Sequence, residues 1–294
     1  MWLIYVVISS LFICAYYFGN QIARLTPNIF MFYRGFAPVL LLLPFLPFMT
    51  VIPVWQFYAL CVLQGLVIAY IDYRNFRAMH VWGAEAVSSL HPLGIGFVFV
   101  MWLLLKPHNI MFYADNLWLF MGIITALCGI IYATASFRYS HRGNKLIKYL
   151  VPYFLVAALC DIINKQCMSY VSSELLPYAS YFYILISGAV VALINLTIYV
   201  KNNNKIKDLY NIKNLKYMPI IALLIGSMAS KNFAMFQVSN PSFITATLYL
   251  YIIWIMIVGR VLEKYGKGAK FRTIERKKAI LLLICAVSLV LLER

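Results

Sequence analysis

The sequence predicts an all-α integral membrane protein with ten transmembrane helices, arranged as two inverted five-helix repeats. Three observations predict this fold. Of the 294 residues, 64% are apolar and 12% are charged, against roughly 45–50% and about 25% in an ordinary soluble domain. The apolar segments run for about 20 residues, the length that an α-helix needs to cross a bilayer. Short segments also match between the two halves of the chain, residues 1–147 and 148–294.

Each apolar segment is expected to be a helix, because hydrocarbon offers no water to satisfy unpaired backbone groups. Prolines at several boundaries, such as Pro27, Pro53 and Pro177, favour helix starts there. The predicted spans are Trp2–Ala23, Asn28–Phe48, Val54–Arg74, Gly83–Leu105, Leu117–Phe137, Tyr149–Val171, Tyr178–Val200, Leu215–Val238, Ser242–Leu262 and Ala279–Leu292.

Two internal matches indicate the repeat, and each joins equivalent spans of the two halves. Because five is an odd number, the second half is expected to enter the membrane inverted relative to the first. Inverted repeats are a recurring plan of secondary carriers, with the substrate site between the halves near the midplane. The matches are Arg74-Asn75-Phe76 with Lys231-Asn232-Phe233 at an offset of 157 residues, and Pro27 and Tyr33 with Pro177 and Tyr183 at an offset of 150.

Lysine and arginine are distributed very unevenly among the loops. Twenty of the 25 lie in the loops after spans one, three, five, seven and nine, and only Lys106 and Arg294 lie in the even loops or at the C-terminus. The positive-inside rule therefore predicts cytoplasmic basic loops and external termini in a multi-pass protein of the cell (inner) membrane. The net charge of +16 does not indicate nucleic-acid binding, because these loops are short and no binding motif is present.

Polar residues inside spans are costly in hydrocarbon and therefore mark candidate sites. In span six, spacings of three and four place Asp161, Asn164 and Lys165 on one helical face, where Asp161 and Lys165 can form an ion pair. This face is expected either to contact substrate or to hold helices together. Span eight contributes Lys231 and Asn232, and for Lys231 both cavity lining and snorkelling to the interface are open.

Spans one to four and nine add further candidates. Glu85 and His91 in span four suggest a proton relay, although a Glu near a helix start is also favoured by the helix dipole. Arg34 in span two is expected to be structural or to face lipid headgroups. The remaining candidates for substrate binding are Asn20, Gln21, Asp72, Arg74, Asn75, Ser88, Thr245 and Tyr249.

Enzyme chemistry is not expected, because the sequence has no Gly-rich phosphate loop, HExxH or GxSxG motif. The six cysteines lie in or beside predicted spans without CxxC pairing, so they are expected to be buried apolar residues. No cofactor or metal is expected. The predicted partners are a small-molecule substrate, the lipid bilayer, and a coupling proton or an exchanged metabolite; monomer and homodimer are both open.

Three segments together resemble the drug/metabolite transporter superfamily, and its EamA-type carriers in particular. Pro27–Arg34 is similar to the family's helix that begins with Pro and holds an Arg, Ala84–Pro92 to its Ala- and Ser-rich run ending in Pro, and Phe243–Glu263 to its run ending in Gly and Glu. The resemblance implies a carrier of two five-helix units. Its members usually keep both termini in the cytoplasm, the opposite of the charge count here.

A narrower segment, Leu159–Lys165, resembles the sixth helix of the S-adenosylmethionine uptake carriers of obligate intracellular bacteria. This resemblance implies import of a sulfonium amino acid, with acidic side chains balancing its cationic groups and Lys165 or Lys231 meeting its carboxylate. The leading hypothesis is therefore a secondary transporter for a charged or zwitterionic organic metabolite, working by alternating access. An amino acid or amine exporter of the same fold, a lipid-modifying membrane enzyme and an accessory subunit are the alternatives.

Overall fold

The chain is helical almost throughout, and the computed structural model describes residues 1–23, 27–82, 87, 90–135, 143–202, 205–209, 211, 214, 217–264 and 276–292. No strand occurs among these residues. Five helical segments are long and apolar enough to cross a membrane, and four shorter apolar helices accompany them. The prediction of an all-α membrane protein is confirmed at this level.

Most helices overlap the predicted spans, but Trp55–Trp82 and Gly143–Ser169 extend beyond the predicted bounds, and Pro107–Asp115 has no predicted counterpart. Short 3₁₀ helices cover Leu43–Phe48, His91–Leu93 and Ile206–Asp208. The α-helices of the described residues are α1 (Trp2–Ala23), α2 (Pro27–Leu42), α3 (Trp55–Trp82), α4 (Gly94–Leu105), α5 (Pro107–Asp115), α6 (Leu117–Ala135), α7 (Gly143–Ser169), α8 (Leu176–Lys201), α9 (Tyr217–Gln237), α10 (Pro241–Leu248), α11 (Tyr251–Lys264) and α12 (Arg276–Leu292).

Two predicted spans are interrupted rather than continuous. Span nine consists of α10 and α11, separated by a turn at Tyr249 and Leu250. At that turn the Tyr249 and Leu250 amides donate to the carbonyls of Ala246 and Thr247, three residues back, so the backbone tightens into a 3₁₀ geometry. Span four likewise has the 3₁₀ turn His91–Leu93 immediately before α4. Span nine was predicted as Ser242–Leu262, and the turn within it was not predicted.

Several long helices pack in pairs. Helix α1 packs against α9, α3 against α7, α2 against α8, and α6 against α12. The α2–α8 crossing depends on glycine. A Cβ added to Gly35 would lie 2.3 Å from the backbone nitrogen of Ala192 and 2.6 Å from the carbonyl oxygen of Gly188. Glycine at this point lets the two backbones touch, as small residues do in membrane helix pairs.

The distribution of side chains is that of a protein in lipid. Large apolar side chains such as Leu11, Val62 and Leu193 are exposed on the outer faces of long helices, whereas Gln64 and Asp72 are buried. Apolar atoms facing outward cost nothing in hydrocarbon, and polar groups placed inside can satisfy one another. The polar interior is therefore where a functional site is expected.

Candidate functional site

A buried ion pair lies between α7 and α9. Asp161 Oδ1 is 2.5 Å from the Lys231 ammonium nitrogen, and their side chains are 10% and 22% exposed. The Thr245 hydroxyl, from α10, donates to Asp161 Oδ2 at 2.7 Å. Three helices thus converge on one carboxylate, and both of its oxygens are occupied. Since a charge in low dielectric needs a partner of opposite sign, this pairing makes both charges tolerable inside the bundle.

A second polar network begins one turn further along α7. Asn164 Nδ2 donates to Asn232 Oδ1 at 3.0 Å, and Asn232 Nδ2 donates to Ser180 Oγ on α8, also at 3.0 Å. All three residues are buried. Asn164 Oδ1 is buried without a hydrogen-bond partner among the described residues. This buried acceptor retains the capacity for one further hydrogen bond.

The predicted pairing of Asp161 with Lys165 was wrong. Lys165 instead donates from its ammonium group to the Met235 carbonyl oxygen at 2.9 Å, in the last turn of α9. Carbonyls at a helix C-terminus lack helical partners and carry partial negative charge, so a lysine there is stabilising. The spacing of four residues along α7 allowed an ion pair with Asp161, but the neighbouring α9 offers a better partner to each residue.

A second ion pair connects α2 with α3. Arg34 Nη1 donates to Asp72 Oδ1, with side chains 25% and 2% exposed. The other carboxylate oxygen, Asp72 Oδ2, is buried without a hydrogen-bond partner among the described residues. Arg34 also lines a small pocket whose walls are mostly apolar side chains of α2, α3, α8 and α9.

Arg34 was predicted to be structural or to face lipid headgroups, and its place on a pocket wall was not predicted. Its pairing with Asp72 agrees with the structural alternative, and its position on the pocket wall gives it an open side as well. The pairing itself was not predicted, although opposite charges in two consecutive spans are a signal that could have indicated it.

The end of α3 forms a third polar group with the start of α7. Arg74 donates to the Tyr149 carbonyl oxygen at 2.7 Å, and its guanidinium carbon lies 4.0 Å from the centre of the Tyr149 ring. Asn75 Oδ1 is 3.1 Å from His91 Nε2, and the His91 ring stacks on Tyr153. These contacts tie α3 to α7 and are separate from the contacts of Asp161.

Several other predicted site residues have different outcomes. Asn20 and Gln21 lie in α1, but their side chains are outside what the structure describes, and Glu85 and Ser88 lie outside the described residues. The proposed relay between Glu85 and His91 therefore stays a prediction. Tyr249 lies in the turn between α10 and α11, with its ring 5.8 Å from that of Tyr251.

Sequence reasoning did not single out Ser180, Gln64 or Ser9, which the structure brings inside. Ser180 completes the Asn164–Asn232 network. The Gln64 side chain of α3 donates to Cys160 Sγ, next to Asp161. The Ser9 and Ser227 hydroxyls lie 2.8 Å apart at the buried α1–α9 contact. Single serines and glutamines in apolar helices carry little signal, because their partners come from helices distant in sequence.

Comparison with protein-family models finds no match for this chain, and comparison with curated proteins finds none either. Function is therefore argued from the chemistry of the sites.

Proposed function

We propose that this protein is a secondary transporter that moves a charged or zwitterionic small organic metabolite across the membrane by alternating access. The observation that carries this proposal is the buried Asp161–Lys231 pair, completed by Thr245 within a helical membrane protein. Ionisable residues in such positions commonly mark substrate or ion pathways. S-adenosylmethionine is the first substrate candidate, on the resemblance of Leu159–Lys165 to its carriers.

The proposed architecture is ten spans in two inverted repeats, and two features support it. First, helix pairs have counterparts when the two halves are exchanged. The α1–α9 pair corresponds to the α7–α3 pair, and the α1–α11 pair corresponds to the α7–α4 pair. The interruptions of spans four and nine also correspond. Adding the repeat offset of 157 to His91–Leu93 reaches residues 248–250, where α10 ends and the turn begins. Interrupted spans at matching positions are typical of transporter binding sites.

The chemistry of the site suits a ligand that carries charged groups of both signs, as amino acids and S-adenosylmethionine do. Asp161 can bind an ammonium or sulfonium group, and Lys231 can bind a carboxylate. Thr245 and the open Asn164 Oδ1 can add hydrogen bonds to the same ligand. A zwitterion that separates the pair replaces each partner with an equivalent one, so neither buried charge is left alone. Rocking of the two halves about this site would expose it to each side in turn.

The proposed location is the cell (inner) membrane with the basic loops in the cytoplasm, on the distribution of lysine and arginine. Direction of transport is open: an exporter of an amino acid or amine would use the same groups. A lipid-modifying enzyme is less favoured, since it needs a nucleophile or metal ligands beside a pocket open to lipid. An accessory subunit would use the Asp161–Lys231 pair only to hold helices together.

Uptake into proteoliposomes tests the proposal. The purified chain is reconstituted, and uptake of labelled S-adenosylmethionine, methionine and a diamine is measured. We expect saturable uptake of one of them, reduced at least about tenfold in Asp161→Asn, since a charge-assisted hydrogen bond contributes about 1.5–3 kcal/mol. Asp115→Asn, at an exposed carboxylate of α5, is the matched control and should transport normally. Absence of saturable uptake of all three would contradict the proposal.

A further inference from the structure

The Arg34–Asp72 pair differs from the Asp161–Lys231 pair in two ways. Asp161 has both oxygens occupied, whereas Asp72 has one oxygen bound to Arg34 and the other without a hydrogen-bond partner among the described residues. The two partners are also unequally buried: the Asp72 side chain is 2% exposed and that of Arg34 is 25% exposed. The carboxylate is enclosed, and the cation faces open space.

The open space is the pocket between α2, α3, α8 and α9. Arg34 is the charged residue of its wall, and Ser187 is the other residue with a polar side chain. The Ser187 hydroxyl donates to the Tyr183 carbonyl oxygen at 2.6 Å, so it does not compete for Arg34. The pocket thus offers an entering molecule one guanidinium group in apolar surroundings, which suits a small oxyanion.

We propose that Arg34 and Asp72 form a proton-coupled anion site. A singly charged oxyanion, a carboxylate or a phosphodiester, enters the pocket and pairs with Arg34 in place of Asp72. Asp72 then has no cation, and an enclosed carboxylate in that condition is too costly to keep its charge. It takes up a proton from solution at one of its oxygens. Anion and proton bind together, and the total charge of the site is unchanged.

The ionisable groups around the pair do not supply this proton. Among the described residues, the groups that interact with Arg34 besides Asp72 are tyrosine and cysteine side chains, which are weaker acids than a carboxyl group, and Lys231 and Asp161 are already paired with each other. The groups that interact with Arg34 besides Asp72 are Tyr16 on α1 and Tyr153 and Cys160 on α7. Cys160 interacts in turn with Asp161 on α7, Tyr183 on α8 and Lys231 on α9.

The proposal that the pair binds an anion and a proton depends only on its own geometry. A role for the pair in coupling transport to protons rests on the function proposed above. The test therefore measures binding and protons without transport. The full chain is solubilised in dodecyl maltoside micelles, which carry no phosphodiester, in weakly buffered solution near neutral pH, with a pH-indicating dye. The probes are sodium acetate and a short-chain phosphatidylglycerol, which distinguish a soluble carboxylate from a lipid phosphodiester. Calorimetry measures binding of each probe in parallel.

We expect one of the two probes to bind wild type with uptake of about one proton per bound anion. Asp72→Asn should bind the probe without proton uptake, Arg34→Gln should bind at least about tenfold more weakly, and Asp115→Asn should behave as wild type. The double variant R34Q/D72N keeps a neutral hydrogen-bonded pair and serves if R34Q does not fold; it should show neither binding nor uptake.

Three results would overturn the proposal: binding without proton uptake in wild type, equal uptake in Asp72→Asn, or no binding of either probe. A pair that only holds α2 and α3 together gives one of these results. Because no step of the test requires transport, its failure leaves the uptake assay for the Asp161 site unaffected, and a failure of uptake leaves this test valid.

Discussion

The Asp161–Lys231 pair allows stability and transport to be separated by a double-mutant cycle. Lys231→Met keeps most of the length of the lysine stem and removes its charge. Asp161 is then left inside the bundle with one hydrogen bond, from the Thr245 hydroxyl at 2.7 Å. Its side chain is 10% exposed, so water can restore little of the lost interaction. Breaking a buried pair on one side costs about 3–5 kcal/mol, which is more than a hundredfold in the folding equilibrium.

The double variant D161N/K231M removes both charges. Replacing a buried pair on both sides is often neutral in stability, because the cost of desolvating two ions disappears together with their attraction. Asn at position 161 can still accept the hydrogen bond from Thr245. We therefore expect the free energy of unfolding of the double variant to lie within about 1 kcal/mol of the wild-type value. We also expect no transport, since neither charge is present to bind a zwitterion.

Unfolding is followed in one detergent for all variants, and uptake is measured in proteoliposomes matched for protein content. Lys201→Met is the control, because Lys201 is an exposed lysine at the end of α8. Two results would refute the reasoning. Wild-type stability in Lys231→Met would mean that the pair does not contribute to folding. Wild-type uptake in the double variant would mean that the protein transports without these two charges and that the pair has only a structural role.

Two further predictions concern helix contacts. Lys165→Met removes the charge-assisted bond to the Met235 carbonyl; we expect a loss of about 1–3 kcal/mol and faster amide hydrogen exchange in the last turn of α9, and unchanged exchange there would contradict the capping role. Gly35→Ala places a Cβ against backbone atoms of α8, including the Gly188 carbonyl oxygen, and should lower the free energy of unfolding by about 1–3 kcal/mol. Gly96→Ala adds a Cβ with nothing within 4 Å, so it should be neutral or stabilising by up to about 1 kcal/mol. Equal unfolding temperatures for the two alanine variants would contradict the close α2–α8 contact.

The fold and the site differ in how much of each could be predicted from sequence. Helix α1 was predicted with its observed bounds, Trp2–Ala23, since a long apolar segment has one satisfactory conformation in lipid. The turn at Tyr249 was not predicted, because no proline or glycine marks it. A break of this kind depends on how the two helix segments pack against neighbouring helices. Periodicity within one segment does not contain that information.

For the site, the sequence indicated several of the residues that form the polar interior, but it did not indicate which of them are in contact. Asp161, Asn164 and Thr245 were singled out because polar groups in apolar spans are rare and costly. Spacing along α7 then favoured Lys165 as the partner of Asp161, whereas the observed partner is Lys231, 70 positions away. Spacing within one helix shows which contacts are possible and does not show which of them form. Contacts between helices are set by packing angles, which one sequence does not reveal.

The energetics of the closed pair bear on which substrates a transporter of this kind would accept. Separating Asp161 from Lys231 without replacing either partner leaves two buried charges uncompensated, at several kcal/mol each. A simple amine compensates Asp161 and leaves Lys231 without a counter-charge. The cost of that unpaired lysine reduces the binding energy of the amine. A zwitterion compensates both, and the Asn164 Oδ1 acceptor gives its ammonium group one more hydrogen bond. If the proposed function is correct, the closed Asp161–Lys231 pair would therefore favour amino-acid-like ligands over amines, because an amine leaves one of the two charges uncompensated.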